Sequence, residues 1–124
     1  NNAILIAICG IAIIFGHNWP IFAGFKGGKG VASAVGIATV LNPLSALAAI
    51  LTFLPILFTT KYVSLGSIFG AIVAMIILIV QSISEINDYS YIYALVVGPL
   101  LVIKHHENIR RLMNGNERKF GEKV

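Results

Sequence analysis

The sequence predicts an all-α, polytopic integral membrane helix bundle with about five spans, some of them short. Two observations carry that prediction. First, 57% of the residues are hydrophobic and only 11% charged, where a soluble domain carries about a quarter charged residues. Second, nine of the 14 charges lie in the last 21 residues, and none falls between Val31 and Thr60. This distribution excludes a disordered chain and an ordinary water-soluble or nucleic-acid-binding domain. Open strands are excluded as well, because hydrocarbon cannot satisfy unpaired backbone groups and no segment alternates as a barrel strand would.

The elements follow in order. Ala3 to Phe15 is apolar and ends at Gly16-His17-Asn18-Trp19-Pro20. Thirteen residues make a helix of only ~20 Å, against a hydrocarbon core of ~30 Å. A Gly-rich basic loop follows, Phe22 to Gly30. Val31 to Leu41 is a second short span, ended by the turn signal Asn42-Pro43. Leu44 to Phe58 returns, with a kink expected at Pro55. Val63 to Ile83 is the one full-length span. Ser84 to Ser90 forms an acidic turn, and Tyr91 to Ile103 leads into the charged tail, with Lys104 to Leu112 continuing the last span past the membrane surface. No internal repeat or linker appears, so residues 1–124 read as one transmembrane domain with 104–124 as its tail.

Basic residues set the direction. The Lys26/Lys29 loop, Lys61 and the tail should be cytoplasmic, and the Glu85/Asp88 turn, which lacks Lys and Arg, should lie outside. The N-terminus is then outside. Asn1 followed at once by an apolar run, with no basic n-region, suggests a start part-way through a longer chain. Cys9 is alone in an apolar run, with no partner for a disulfide or a metal.

Three segments could carry chemistry, and the topology brings all three to one face. In the loop, Gly24, Gly27, Gly28 and Gly30 surround Lys26 and Lys29 directly before a helix. Backbone N–H groups there can form an anion nest, to which two ammonium groups add point charges. It is not a Walker A loop, because Ala23 stands five residues before Gly28 and Gly30 follows Lys29. The alternative is a flexible loop whose lysines serve only topology. In the second segment, Lys104 to Leu112, His105 would share a helix face with Asn108 and Ile109, with Arg110 and Arg111 a turn further on. Imidazole, amide and guanidinium could orient a phosphorylated, hydroxyl-bearing substrate. The alternative is a solvated juxtamembrane helix with snorkelling cations. Adjacent His105 and His106 diverge by ~100° on a helix, which argues against a shared metal. Third, Ser64 could cap the Val63 helix or lie in its first turn, and Ser67 would share its face one turn on.

Outside the tail the only acids are Glu85 and Asp88, on the opposite face, and Glu117 to Val124 read as an ordinary solvated end. Carboxylate-dependent metal catalysis and Ser-His-Asp hydrolysis therefore lack parts. So does a His-x4-Asp acyltransferase motif, since Phe22, Arg110 and Arg111 stand five residues after the three histidines. Non-catalytic rivals are an anion-transporter element, which would carry polar residues at mid-membrane on several spans, and a subunit whose basic tail binds anionic lipid.

Gly16-His17-Asn-Trp-Pro-Ile-Phe-Ala-Gly-Phe-Lys26-Gly-Gly-Lys29-Gly30-Val-Ala-Ser resembles the second motif of bacterial acyl-phosphate:glycerol-3-phosphate acyltransferases, the PlsY family. His105-His106-Glu-Asn108-Ile-Arg-Arg111-Leu-Met-Asn-Gly115-Asn-Glu117 resembles the third, and Tyr62 to Ile68 a recurrent segment between them. The resemblance implies transfer of a fatty acyl group from acyl phosphate to the 1-hydroxyl of glycerol 3-phosphate, on the cytoplasmic side of a bacterial inner membrane. The products would be 1-acylglycerol 3-phosphate (lysophosphatidate) and phosphate, the entry to bacterial phospholipid synthesis. It implies no cofactor, metal or nucleic acid, with membrane lipids as surroundings; a homodimer is compatible with it.

Carried over residue by residue, Lys26, Gly27, Gly28, Lys29 and Gly30, with His17 and Arg111, would bind phosphate. Ser64 or Ser67 would add a hydroxyl donor. His105 and Asn108 would be the catalytic pair that orients glycerol phosphate. The hydroxyl proton would go to His105 or to a substrate phosphate oxygen. The resemblance also implies a first motif and about two more spans ahead of residue 1, with this chain as the C-terminal two-thirds. Members usually have His-Arg where this chain has His105-His106, so a titratable group replaces a fixed cation here.

Overall fold

The structure, a computed structural model, describes residues 2–86 and 88–123, so Asn87 of the acidic turn and Val124 of the tail lie outside the described residues. Its helices are α1 (Asn2–Asn18), α2 (Val31–Leu41), α3 (Pro43–Thr60), α4 (Val63–Ser84), α5 (Ser90–Lys104) and α6 (His106–Met113), with a 3-10 turn at Ile21–Ala23. There is no strand among the described residues.

Three stretches are long and apolar enough to cross a membrane: Asn2–Ala23, Pro43–Thr60 and Val63–Ser84. The expectation of a single full-length span was therefore too narrow. α1 runs three residues past Phe15 to Asn18, and α3 extends through Pro55 to Thr60. Pro55 removes the amide that would have bonded Leu51 O; further along the same helix, the Thr59 and Thr60 hydroxyls donate to the Pro55 and Ile56 carbonyls. α2 and α5 are the shorter apolar helices.

Local chemistry explains the connections. Asn42 caps α3, its Oδ1 accepting from Ser45 N at 3.2 Å with Pro43 in the first turn, which makes the expected α2–α3 hairpin. Lys61 ends α3 in the left-handed region, φ 65°, and its N–H bonds Leu57 O at 2.8 Å. α3 and α4 then pack closely. A Cβ at Gly70 would stand 2.9 Å from Ala49 O, and one at Gly66 2.9 Å from the Phe53 ring. This Gly-x-x-x-Gly pair lets the two backbones approach as membrane helices require.

Each helix packs mainly on its neighbours in sequence, and α5 returns to α1, so α1–α5 close a ring with only slight contact across it. Tyr93 of α5 makes one such crossing, donating to Ala34 O of α2 at 3.1 Å. Large apolar side chains such as Leu51, Phe58, Ile76 and Val80 point outward, while Asn18, Ser45, Ser67, His105 and Asn108 are buried. That inside-out distribution suits helices surrounded by lipid.

The last helix does not continue past the membrane as one rod. It breaks at His105, whose N–H is shared between Leu101 O (3.2 Å) and Val102 O (3.0 Å), and α6 restarts at His106. The imidazoles of His105 and His106 take the Leu101 and Ile103 carbonyls at 2.7 and 2.9 Å. The His106 imidazole thus takes a carbonyl that the next turn of helix would otherwise have used, while the His105 imidazole adds a second donor to Leu101 O.

Candidate functional site

The ring encloses a cavity of about 700 Å³ between α2, α3, α4 and α5. Most of its wall is alanine, glycine and larger apolar residues. Apart from the Tyr93 hydroxyl, which is bonded to Ala34 O, its polar side chains are Lys29, Ser64, Ser67, His105, Asn108 and Glu117. All six belong to the end that carries the Gly–Lys loop, the start of α4 and the α5–α6 junction. One end of an otherwise apolar cavity is thus polar and basic.

The loop reaches this end because α1 supports it. A Cβ at Gly27 would overlap the His17 and Asn18 carbonyls, and one at Gly28 would meet the His17 imidazole at 2.7 Å. Gly30 adopts φ 78° as the residue before α2, a conformation glycine takes without a steric penalty. Lys29 then turns inward and donates from Nζ to Asn108 Oδ1. Burial lowers the Lys29 pKa; Glu117 acts to raise it and Arg111 to lower it.

Asn108 and His105 come from the two sides of the helix break, and both are buried. A carbonyl can only accept, so the 2.7 Å contact to Leu101 O places the His105 proton on Nδ1 and leaves Nε2 as an acceptor. Burial pushes the His105 pKa down. The Leu101 bond opposes this, Lys29 lowers it further and Glu117 acts to raise it.

Glu117 overturns the reading of residues 117–124 as a solvated end. Its side chain is only 8% exposed. Oε1 accepts from Ser64 Oγ at 2.8 Å and Asn108 Nδ2 at 2.7 Å, and Oε2 accepts from Arg111 Nε at 2.8 Å. The tail folds back to deliver it: Gly115 takes φ 71°, and Phe120 N bonds Lys61 O at 2.6 Å. Burial alone would raise the Glu117 pKa, but the bonds from Arg111, Asn108 and Ser64 together hold it below the usual carboxylate range. A carboxylate does therefore stand at this face, contrary to the sequence inventory. The available signal was its place at the end of the third motif-like segment, two residues after a glycine.

Ser64 lies in the first turn of α4, one of the two places expected for it, and Ser67 is buried on the same face one turn on. Arg111 is outside the cavity, held by Glu117 and, at 3.8 Å, by Glu107. Lys26 is exposed in the loop, and His17 props the loop from outside the cavity. Asn18 was missed: it is wholly buried, its amide has no partner among the described residues, and its Oδ1 would stand 3.1 Å from a Cβ at Gly30. No cluster of three or more His, Cys, Asp or Glu suited to a metal occurs among the described residues.

Comparison with known proteins agrees with this geometry. A family model described as glycerol-3-phosphate acyltransferase matches residues 2–115. Glycerol-3-phosphate acyltransferases of Alkaliphilus metalliredigens and Geobacter sulfurreducens are 45% and 44% identical over 94% and 93% of the chain. The chain spans 57% and 58% of those relatives, just over half their length. It is also similar to crystal structures of PlsY (YgiH), an integral membrane glycerol 3-phosphate acyltransferase, in a glycerol 3-phosphate form and a lysophosphatidic acid form. Both match with TM-score 0.84 and 40% identity over 93% of this chain, and over 56% and 57% of theirs. On the matched residues and this identity, the chain belongs to the glycerol-3-phosphate acyltransferase family.

Proposed function

We propose that the protein transfers a fatty acyl group from acyl phosphate to the 1-hydroxyl of glycerol 3-phosphate, releasing inorganic phosphate. One observation carries the proposal: an apolar cavity of about 700 Å³ ends in a cluster of Lys29, Ser64, Ser67, His105 and Asn108. An acyl chain suits the apolar part, and two phosphate groups suit the basic end. We further infer that this end faces the cytoplasm of a bacterial inner membrane, because Lys26, Lys29, Lys61 and the basic tail gather there.

The chemistry asks little beyond placement. Acyl phosphate is already activated, so the site must hold two anions together and stabilise the charge that grows on the carbonyl oxygen. Lys29 neutralises phosphate, assisted by the backbone N–H groups before α2. Ser67, and Ser64 when it turns from Glu117, donate hydroxyl hydrogen bonds. Asn108, oriented by Glu117 and Lys29, fixes the glycerol phosphate beside His105. The glycerol oxygen bonds to the acyl carbon as the carbon–oxygen bond to phosphate breaks. His105 Nε2, neutral at pH 7, accepts the hydroxyl hydrogen bond and can take the proton. The departing phosphate is the other acceptor that the reaction supplies.

Membranes carrying the protein, given glycerol 3-phosphate and palmitoyl phosphate, should form lysophosphatidate and phosphate in equal amounts. A palmitoyl thioester should not replace the acyl phosphate. Turnover with the thioester alone would overturn the donor assignment.

A further inference from the structure

Resting on the acyl reading of the cavity, the structure carries a statement about chain length. On α4 the cavity wall runs from Ser67 through Ala71, Ala74 and Met75 to Leu78, one face of the helix at three- and four-residue spacing. Eleven residues separate Ser67 from Leu78, a rise of ~16 Å. At the α5 side the wall runs from His105 through Leu101, Gly98, Val97 and Ala94 to Tyr93, twelve residues, or ~18 Å. Two antiparallel helices therefore set similar depths, close to the ~15 Å of one bilayer leaflet.

The floor is closed. Leu78 and Tyr93 are each only 3% exposed, and both belong to the core cluster of the ring. Above the floor, Met75 of α4 lies across α5 at Gly98. A Cβ at Gly98 would overlap the Met75 sulfur, so the missing side chain is what seats the thioether there. Methionine is unbranched and conformationally adaptable, so it can fill or free space at the end of a cavity without moving a helix.

We propose that Met75, seated on Gly98, sets the longest acyl chain the cavity accepts, with Leu78 and Tyr93 as the floor beneath it. Two substitutions act on this contact with opposite sign. Met75→Ala removes the thioether and deepens the accessible space. Gly98→Ala displaces the thioether into the cavity and shortens it. Each methylene gained or lost in an apolar site counts about fourfold, so a two-carbon step shifts selectivity about 15-fold.

The test uses a saturated series from decanoyl to stearoyl in two readouts: turnover of the acyl phosphates, and thermal stabilisation by the matching lysophosphatidates. Each readout is expressed as a long-to-short ratio within one variant, which cancels differences in expression and stability. Met75→Ala should raise the stearoyl-to-palmitoyl ratio about 15-fold, and Gly98→Ala should lower it. Should Met75→Ala fail to fold, Gly98→Ala decides the matter alone, because it adds one methyl group against a flexible side chain. Unchanged ratios in a variant that still binds lysophosphatidate would overturn the chain-length stop and leave the acyltransferase reading standing. If no lysophosphatidate of any length stabilises the unmodified protein, the acyl assignment of the cavity falls, and the stop falls with it.

Discussion

The two ends of the helix ring handle polar groups in opposite ways. At the acidic end, the bonds are mostly local. Asp88 Oδ1 accepts from Ser90 N and Oγ at 2.8 and 2.6 Å, Ser82 Oγ donates to Asp88 O at 2.8 Å, and Asn42 caps its own helix. Apart from the Asn42–Gln81 pair, these partners lie within nine residues of each other. At the basic end, Lys29 meets Asn108 across 79 residues and Ser64 meets Glu117 across 53. Local bonds of the first kind terminate helices. The distant bonds assemble groups from three parts of the chain that have no reason to meet for the sake of a turn, and they leave cationic and acceptor groups facing a cavity.

The sharpest contrast comes from one substitution at each end. Lys29→Ala should lower kcat/KM for glycerol 3-phosphate by about 10³-fold, the scale of losing a charge-stabilising donor, with little change in thermal stability. Asp88→Ala should do the reverse, costing about 1 kcal/mol of stability through the lost Ser90 bonds and leaving kcat/KM unchanged. Steady-state kinetics and thermal melts in one detergent separate the two. Equal kinetic losses at both ends would show that the difference between them is not functional.

Glu117 is where the basic end departs most from what could be read in the sequence. Positive-inside bias and glycine spacing brought Lys29, Ser64, Ser67, His105 and Asn108 to one face, because each sits at the end of an apolar span. Glu117 sits in no span. A charged stretch after α6 has no periodicity to report, and only the reversal at Gly115 and the bond from Phe120 N to Lys61 O bring it back. The helix break at His105 was hidden for a similar reason. It is marked by imidazoles bonding the Leu101 and Ile103 carbonyls, with no glycine or proline at the break itself. The five-helix ring was legible from hydropathy and Asn42-Pro43, whereas its closure through α5 and α1 depends on tertiary packing.

Glu117→Ala would leave Asn108 Nδ2, Ser64 Oγ and Arg111 without their acceptor, and should cost about 2–4 kcal/mol. Because the folded pKa is held low, the contribution is complete above the unfolded carboxylate value of about 4.3 and is lost as pH falls through the folded value. Thermal melts of the protein should therefore lose stability below about pH 4, and Glu117→Gln should flatten that part of the curve. An unchanged acid limb in Glu117→Gln would mean that another carboxylate is responsible.

Asn18, beside Gly30 at the basic end, contrasts with the well-satisfied acidic end. A wholly buried amide without a partner among the described residues costs about 1–3 kcal/mol. Asn18→Leu, close in volume, should raise the melting temperature, equivalent to a gain of about 1 kcal/mol. A loss of stability instead would mean that the amide is satisfied, for instance by a buried water, and that the two ends are closer in kind than their bonds suggest.

The finest test concerns the proton on His105. Nothing at the acidic end places a cation beside an imidazole, whereas at the basic end Lys29 adds to burial in lowering the His105 pKa, and Glu117 works against both. Two substitutions should therefore move the imidazole in opposite directions when its titration is followed by NMR. Lys29→Met removes a positive neighbour and should raise the His105 pKa. Glu117→Gln removes a negative one and should lower it. In the unmodified protein the titration should lie below the ordinary imidazole value of about 6.5, so His105 is neutral and its Nε2 is free to accept at pH 7. A depressed folded value also means that His105 stabilises the fold least in acid, since protonation favours the unfolded chain once pH drops below about 6.5. If both substitutions shift the titration the same way, the neighbouring charges do not act on His105 directly, and the bond to Leu101 O with burial is all that tunes it.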